Sequence, residues 1–354
     1  MRIAQIAPLY EAVPPALYGG TERIVAYLAD ALVDLGHDVT LFASGDARTR
    51  AELVAVRDRA IRLDPAPLKS DMAAHLAMLH DVRNRADNFD ILHFHLDLLH
   101  FPFFEHLASR TVTTLHGRLD LKDLPDVYQR WSEYPLVSIS KLQRRPLPLA
   151  NWVGTVHHGL PLDLCRPVPE PKGEYLAFLG RISPEKRPDR AISIARRAGL
   201  LLRIAAKVDA ADVTYFRENI EPMLAGPGVE FIGEIGQQEK SGFLGNARAL
   251  LFPIDWPEPF GLVMIEAMAC GTPVIAWQGG AVNEIIEHGV TGFVVQSEVE
   301  AVDAVAQVHA LHRARIRHEF ERRFSSHAMA SNYVALYRQL RGAELPEPVA
   351  MKAA

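Results

Sequence analysis

A chain of 354 residues, 49% hydrophobic and 23% charged with a formal net charge of −5, is too long for one ordinary core, and roughly 150 residues per domain points to two. The composition excludes a disordered or fibrous chain, and no apolar run approaches the ~20 residues of a membrane span. The acidic balance argues against wholesale nucleic-acid binding, the basic pairs Arg144-Arg145 and Arg322-Arg323 being read as solvated surface; Cys165 and Cys270 have no metal-ligand spacing, and a cytoplasmic setting is expected.

The first apolar run, residues 2–7, is shorter than a secretory leader and lacks its cleavage pattern, so it reads as a buried strand. Further β-branched or aliphatic runs at 38–44, 90–95, 110–116 and 135–140 alternate with amphipathic stretches at 21–36 and 72–88. Such alternation implies a parallel sheet covered by helices. After the first strand, Pro14-Pro-Ala-Leu-Tyr-Gly19-Gly20-Thr21-Glu22 offers paired glycines for close backbone approach and Thr21 as a helix cap. Phe101-Pro-Phe-Phe104 is expected in the core rather than at a membrane or acceptor surface.

From His158 to Gly173 the chain is rich in Pro and Gly and reads as a linker. A second set of strands follows at 175–180, 202–207, 229–233, 249–253, 273–277 and 292–295. The chain then turns helical from Ser297 to about Gly342, with a frayed tail at 344–354. The expected boundaries are 1–158 for a first Rossmann-like domain, 159–173 for the linker, 174–324 for a second Rossmann-like domain, and 325–354 for a terminal helix and tail. Ligands of open parallel sheets gather at the carboxyl ends of strands, so two facing domains would place a site in the crevice between them.

Two segments of the second domain carry the chemistry. In Gly180-Arg181-Ile-Ser-Pro-Glu-Lys186, a strand runs into a helix that Ser183 can cap and Pro184 can start, flanked by two cations. That is an anion site suited to a departing diphosphate. In Glu258-Pro-Phe-Gly-Leu-Val-Met-Ile-Glu266, a helix is expected to begin near Phe260, with Glu258 ahead of it and Glu266 about two turns inside. A carboxylate on an apolar helix needs donors, and sugar or ribose hydroxyls supply them. The amides of Phe260, Gly261 and Leu262 at the helix start can receive phosphate oxygens.

From Gly180 to Val295, and in the Gly19-Gly20 loop, the chain resembles family 4 glycosyltransferases with the GT-B fold. The paired glutamates, the following Ala-Met-Ala-Cys-Gly-Thr-Pro-Val-Ile-Ala and the segment Gly279-Gly-Ala-Val-Asn-Glu-Ile-Ile-Glu-His-Gly-Val-Thr-Gly-Phe-Val-Val295 carry the resemblance. It implies that Glu258 approaches hydroxyls of the transferred sugar, Glu266 binds the donor ribose, Arg181 and Lys186 hold the diphosphate, and His116 faces the sugar. It implies no cofactor and no metal, with a nucleoside diphosphate sugar as donor and a sugar, lipid or small molecule as acceptor. It also implies retention of configuration by front-face displacement, and terminal helices that cross back around Tyr333-Tyr337. Lys207 carries no firm role in base recognition. The alternatives are an epimerase of the same fold and a non-catalytic sugar-nucleotide-binding subunit.

Overall fold

The computed structural model describes residues 1–16 and 19–342; the tail expected at 344–354 lies outside them. Among these residues thirteen strands form two all-parallel sheets. The first contains β1 (Arg2–Ile6), β2 (Asp38–Ala43), β3 (Glu52–Ala55), β4 (Ile91–Phe94), β5 (Thr111–Leu115), β6 (Leu136–Ser138) and β7 (Trp152–Thr155), in the order β3-β2-β1-β4-β5-β6-β7. The second contains β8 (Tyr175–Arg181), β9 (Leu201–Lys207), β10 (Val229–Gly233), β11 (Ala249–Phe252), β12 (Val274–Trp277) and β13 (Gly292–Val295), in the order β10-β9-β8-β11-β12-β13. The strand order reverses between β1 and β4 in one sheet and between β8 and β11 in the other. At such switch points the neighbouring loops diverge and leave a crevice.

Every strand expected from the apolar runs is present, and β3 and β7 are additions. Both are short edge strands, half-buried or exposed along their length, so neither carries the apolar run that marks a central strand. Gly154 interrupts β7 for a packing reason: a Cβ there would lie 2.4 Å from Leu336 Cδ1 of the terminal helix Ser326–Leu340. That helix packs on the helix Gly20–Asp34 beneath the first sheet.

The terminal helix places Tyr333 and Tyr337, both buried, in a core that runs without a break from Ile3 and Val25 to Met264 and Phe320. One apolar cluster therefore joins both halves of the chain. Phe101 and Phe104 are fully buried, as expected of core residues. Where the chain crosses between halves it does so twice, side by side: Leu160 N–H donates to the Phe324 carbonyl at 2.9 Å and Ser326 N–H to the Leu160 carbonyl at 2.8 Å. Among the described residues no helix is long and apolar enough to cross a membrane.

Candidate active site

The carboxyl ends of β1, β5, β8, β9 and β11 open onto one cleft of about 530 Å³. Gly19, Gly20, His116, Arg181, Lys186, Glu258, Phe260, Gly261, Leu262 and Glu266 all line it, so these ten residues of the sequence motifs converge there from both halves of the chain.

Arg181 ends β8, and its guanidinium is bound by Asp209 at 3.2 Å and Glu185 at 3.3 Å. Lys207, ending β9, holds the other oxygen of Asp209 at 2.9 Å. The bonds from Lys207 and then Arg181 keep the Asp209 carboxyl below its usual range. Beyond Arg181 the chain does not start a single helix at Pro184. It makes one 3₁₀ turn, Pro184–Lys186, passes through Arg187 at φ 53°, and begins an α-helix at Pro188. Ser183 makes no capping bond, and its buried hydroxyl has no hydrogen-bond partner among the described residues.

That turn sends Lys186 across to the loop after β11, where its ammonium pairs with the Glu258 carboxylate. The same carboxylate oxygen accepts the Trp256 indole N–H at 2.9 Å, and the Lys186 nitrogen lies 5.1 Å from the Trp256 ring centroid, within cation–π range. The loop is clamped from behind. At Gly280, with φ 52°, a Cβ would lie 2.3 Å from the Glu258 carbonyl oxygen, so only glycine permits the approach that lets Ala281 N–H donate to that oxygen at 3.0 Å.

The helix Leu262–Ala269 begins after Gly261 in the left-handed region, two residues later than expected. Glu266 therefore lies about one turn inside rather than two. It is 4% exposed, and Lys240 pairs with it at 2.6 Å. Phe260, Gly261 and Leu262 line the cleft at this helix start, where first-turn amides have no intrahelical acceptor. Opposite, the first helix begins at Gly20 with Gly19 in the cap position, so Thr21 is inside the first turn and does not cap it. A Cβ on Gly20 would touch Leu262 Cδ1 at 3.8 Å, which measures how closely the two walls approach.

The wall from the first sheet carries histidines. His116 Nε2 lies 2.9 Å from His95 Nδ1, and His95 Nε2 lies 2.8 Å from Gln5 Oε1. The His158 ring stacks on His116 at 5.2 Å with 18° between planes, and Phe260 meets His158 edge-on. Burial lowers the His116 pKa to about 3 and pushes those of His93, His95 and His158 well below the ordinary imidazole value. All four rings are neutral at pH 7.

Sequence reasoning missed Asp209, Lys240 and Trp256, which hold the cleft's charges in place, and Gln5 and His95 behind His116. Their signal was faint: Asp209 and Lys240 lie on ordinary polar stretches, while His93-Phe-His95 does place two imidazoles on one face of a strand end. Glu22 also lines the cleft, 6% exposed, with burial raising its carboxyl pKa. Of the basic pairs read as surface, Arg144 donates to Ser138 Oγ at 2.8 Å, and Arg323 binds the backbone carbonyls of Glu284 and Ile285. They brace local structure.

Residues 166–328 match the family described as Glycosyl transferases group 1, and residues 18–156 match Glycosyltransferase Family 4. The D-inositol 3-phosphate glycosyltransferase of Mycobacterium leprae is 31% identical over 208 residues, 52% of this chain and 44% of that protein. Its namesake from Streptomyces griseus is 32% identical over 180 residues, 41% of this chain and 38% of that protein. The chain thus covers less than half the length of either relative. Among solved structures, a glycosyltransferase of avilamycin A biosynthesis superposes with a TM-score of 0.74 at 24% identity, covering 97% of this chain and 99% of that one. HepE of Anabaena, in complex with UDP and glucose, superposes with a TM-score of 0.72 at 17% identity, covering 95% and 98%.

Proposed function

Because the chain belongs to glycosyltransferase family 4 and has the GT-B fold, we propose that it transfers a sugar from a nucleoside diphosphate donor to an acceptor, with retention of configuration and without a metal. The observation that carries this reading is the convergence of Arg181, Lys186, Glu258 and Glu266 on one cleft from the ends of β8 and β11. Lys186 and Arg181 hold the diphosphate. The amides of Phe260 to Leu262 take its remaining oxygens, the helix start favouring negative charge. Glu266 accepts hydrogen bonds from ribose hydroxyls while Lys240 holds and aims it, and Glu258, steadied by Trp256, accepts from hydroxyls of the sugar.

Transfer then needs little covalent chemistry from the protein. As the sugar–phosphate bond breaks, charge builds on the leaving diphosphate, and fixed cations stabilise that charge more than the ground state. The acceptor hydroxyl attacks the anomeric carbon from the face the diphosphate is leaving and gives its proton to a departing phosphate oxygen. Tyr10, Glu22 and Arg62 line the cleft on the side of the first sheet, and there the acceptor is bound.

The test is incubation with UDP-, GDP- and ADP-linked hexoses and an acceptor array, read by mass spectrometry. Transfer, or slow hydrolysis of one donor, supports the reading. Epimerised donor, or binding without consumption, replaces it with one of the two alternatives.

A further inference from the structure

Behind His116 lies a chain of buried polar groups that the reaction as described does not use. Gln5 and His93 are fully buried, and His95 is 3% exposed. Gln5 accepts at Oε1 from His95 and donates through Nε2 to Tyr337 Oη at 3.3 Å. Tyr337 Oη lies 2.7 Å from His93 Nδ1, His93 Nε2 lies 2.7 Å from Thr114 Oγ1, and Thr114 Oγ1 lies 2.8 Å from Tyr333 Oη. The terminal helix therefore reaches, through side chains alone, to the sugar-facing wall.

With the Gln5 oxygen toward His95, the donor and acceptor inventory assigns the protons. An amide oxygen only accepts, so His95 Nε2 must carry its hydrogen. A neutral ring has one N–H, so His95 Nδ1 is bare and accepts from His116 Nε2. His116 Nδ1 is then bare as well; like His158 Nδ1 beside it, it is buried and has no protein partner among the described residues, and both rings line the cleft. Turning the ring over would keep its stack on His158 but put carbon Cε1 where Nε2 meets His95, and so would cost that bond.

We propose that Gln5, His95 and Tyr337 are positioning residues that lock His116 in its Nε2–H tautomer, so that a bare Nδ1 accepts a hydrogen bond from a hydroxyl of the donor sugar. The assignment of that hydroxyl to a donor sugar rests on the glycosyltransferase reading; the tautomer itself does not. The lock makes the position selective. A bare nitrogen takes a hydroxyl, and a sugar lacking the hydroxyl leaves it unpaired in a dry pocket. It also gives the returning terminal helix a part in the chemistry, since Tyr337 Oη and His93 Nδ1, each 3.3 Å from Gln5 Nε2, together receive the amide NH₂ and leave its oxygen toward His95.

The test is long-range ¹H–¹⁵N NMR of the full chain labelled at histidine, with the His116 signals identified from a His116→Ala sample. At pH 7 the expected pattern is a protonated Nε2 and a bare Nδ1 on His116; a protonated Nδ1 overturns the proposal. In Gln5→Leu, His95 and His116 should move together toward the opposite tautomer, and an unchanged His116 pattern in a folded variant overturns the relay. Should that variant fail to fold, Tyr337→Phe removes only the hydroxyl that orients the amide and is expected to shift the same two rings in the same direction, no shift counting against the relay. Kinetics add a second reading, using whichever of UDP-glucose, GDP-mannose and ADP-glucose the wild type consumes. Its preference for the parent sugar over the least favoured monodeoxy analogue, expected to be at least about tenfold, should collapse in Tyr337→Phe, and an unchanged preference would overturn the recognition role. If no donor is consumed while the NMR pattern holds, the enzyme reading fails and the tautomer lock stands.

Discussion

On the second sheet's side of the cleft the polar groups are charged and paired: Arg181 with Asp209, Lys186 with Glu258, Lys240 with Glu266. At and behind His116, on the first sheet's side, they are neutral and linked in series: Gln5, His95 and His116, with His93 and His158 beside them. A diphosphate brings charge that must be met by charge, so that wall keeps cations at the expense of desolvating them and offsets the cost with carboxylates. A sugar brings only hydroxyls, which are recognised by directed hydrogen bonds from neutral groups that cost less to bury.

The comparison makes its largest prediction in acid. His93, His95, His116 and His158 are held neutral in the folded chain by burial, which lowers their pKa values, but take up protons near pH 6.5 once unfolded. The unfolded state therefore binds more protons below pH 6.5, and stability falls as pH falls, by roughly 1.4 kcal/mol per pH unit for each ring. These four rings contribute a loss of roughly 5 kcal/mol between pH 6 and pH 5, and His100, whose pKa burial likewise pushes well below the ordinary value, adds to it. Urea unfolding at the two pH values measures it, and equal stability at both would break the neutral-wall account.

Second in size is the charged wall. Arg181→Ala and Lys186→Ala should each lower kcat by about a hundredfold, about 3 kcal/mol of transition-state stabilisation. Folding should be affected much less, since each residue's carboxylate partner lies at the edge of an open cleft. Steady-state kinetics beside thermal unfolding separates the two effects; near-wild-type turnover in either variant would place the diphosphate elsewhere.

How much of this was legible in the sequence follows the same division. Every strand but β3 and β7, and the place of Arg181, Lys186, Glu258 and Glu266 at the cleft, were readable because apolar runs and motif spacing are local properties. The partners were not. Asp209 meets Arg181 only because β9 lies beside β8, and Gln5 meets His95 only because β4 lies beside β1, which are facts of strand order. Nor was the cap at Thr21 or at Ser183 as expected. In both places the chain spends its first turn on a glycine or a 3₁₀ bend facing the cleft, and local preference yields to the geometry of the site.

A third, smaller effect concerns the contact that joins the walls. Glu284, on the second side, accepts from the amides of Lys141 and Leu142 at 2.8 and 2.9 Å and bonds His157 Nε2 at 3.2 Å. Burial works against its charge, yet these bonds hold its carboxyl below the usual value. Glu284→Ala should cost about 2 kcal/mol of stability and leave the two halves less tightly held. Small-angle scattering should then show a larger radius than the wild type, and both should contract with saturating nucleoside diphosphate. A variant as compact as the wild type without ligand would mean that the paired crossings at Leu160 and Ser326, not Glu284, set the closure.

The smallest expected effect is that of chelation, and it bears most directly on what the charged wall is for. A divalent cation under a diphosphate needs oxygen ligands, chiefly carboxylates. The carboxylates nearest the diphosphate clamp are already committed: Asp209 is shared by Lys207 and Arg181, Glu258 is bound to Lys186, and Glu266 is bound to Lys240. Recruiting any of them to a metal would strip a partly buried cation of its partner, which is costly, and would add positive charge where Arg181 and Lys186 already supply it. Activity in excess EDTA should therefore stay within about twofold of the untreated rate, the shift expected of ionic strength on half-exposed charges. Loss of transfer on chelation, restored by Mg²⁺ or Mn²⁺, would show that these ion pairs open to admit a metal, and that the side-chain clamp holds the resting cleft rather than the reacting diphosphate.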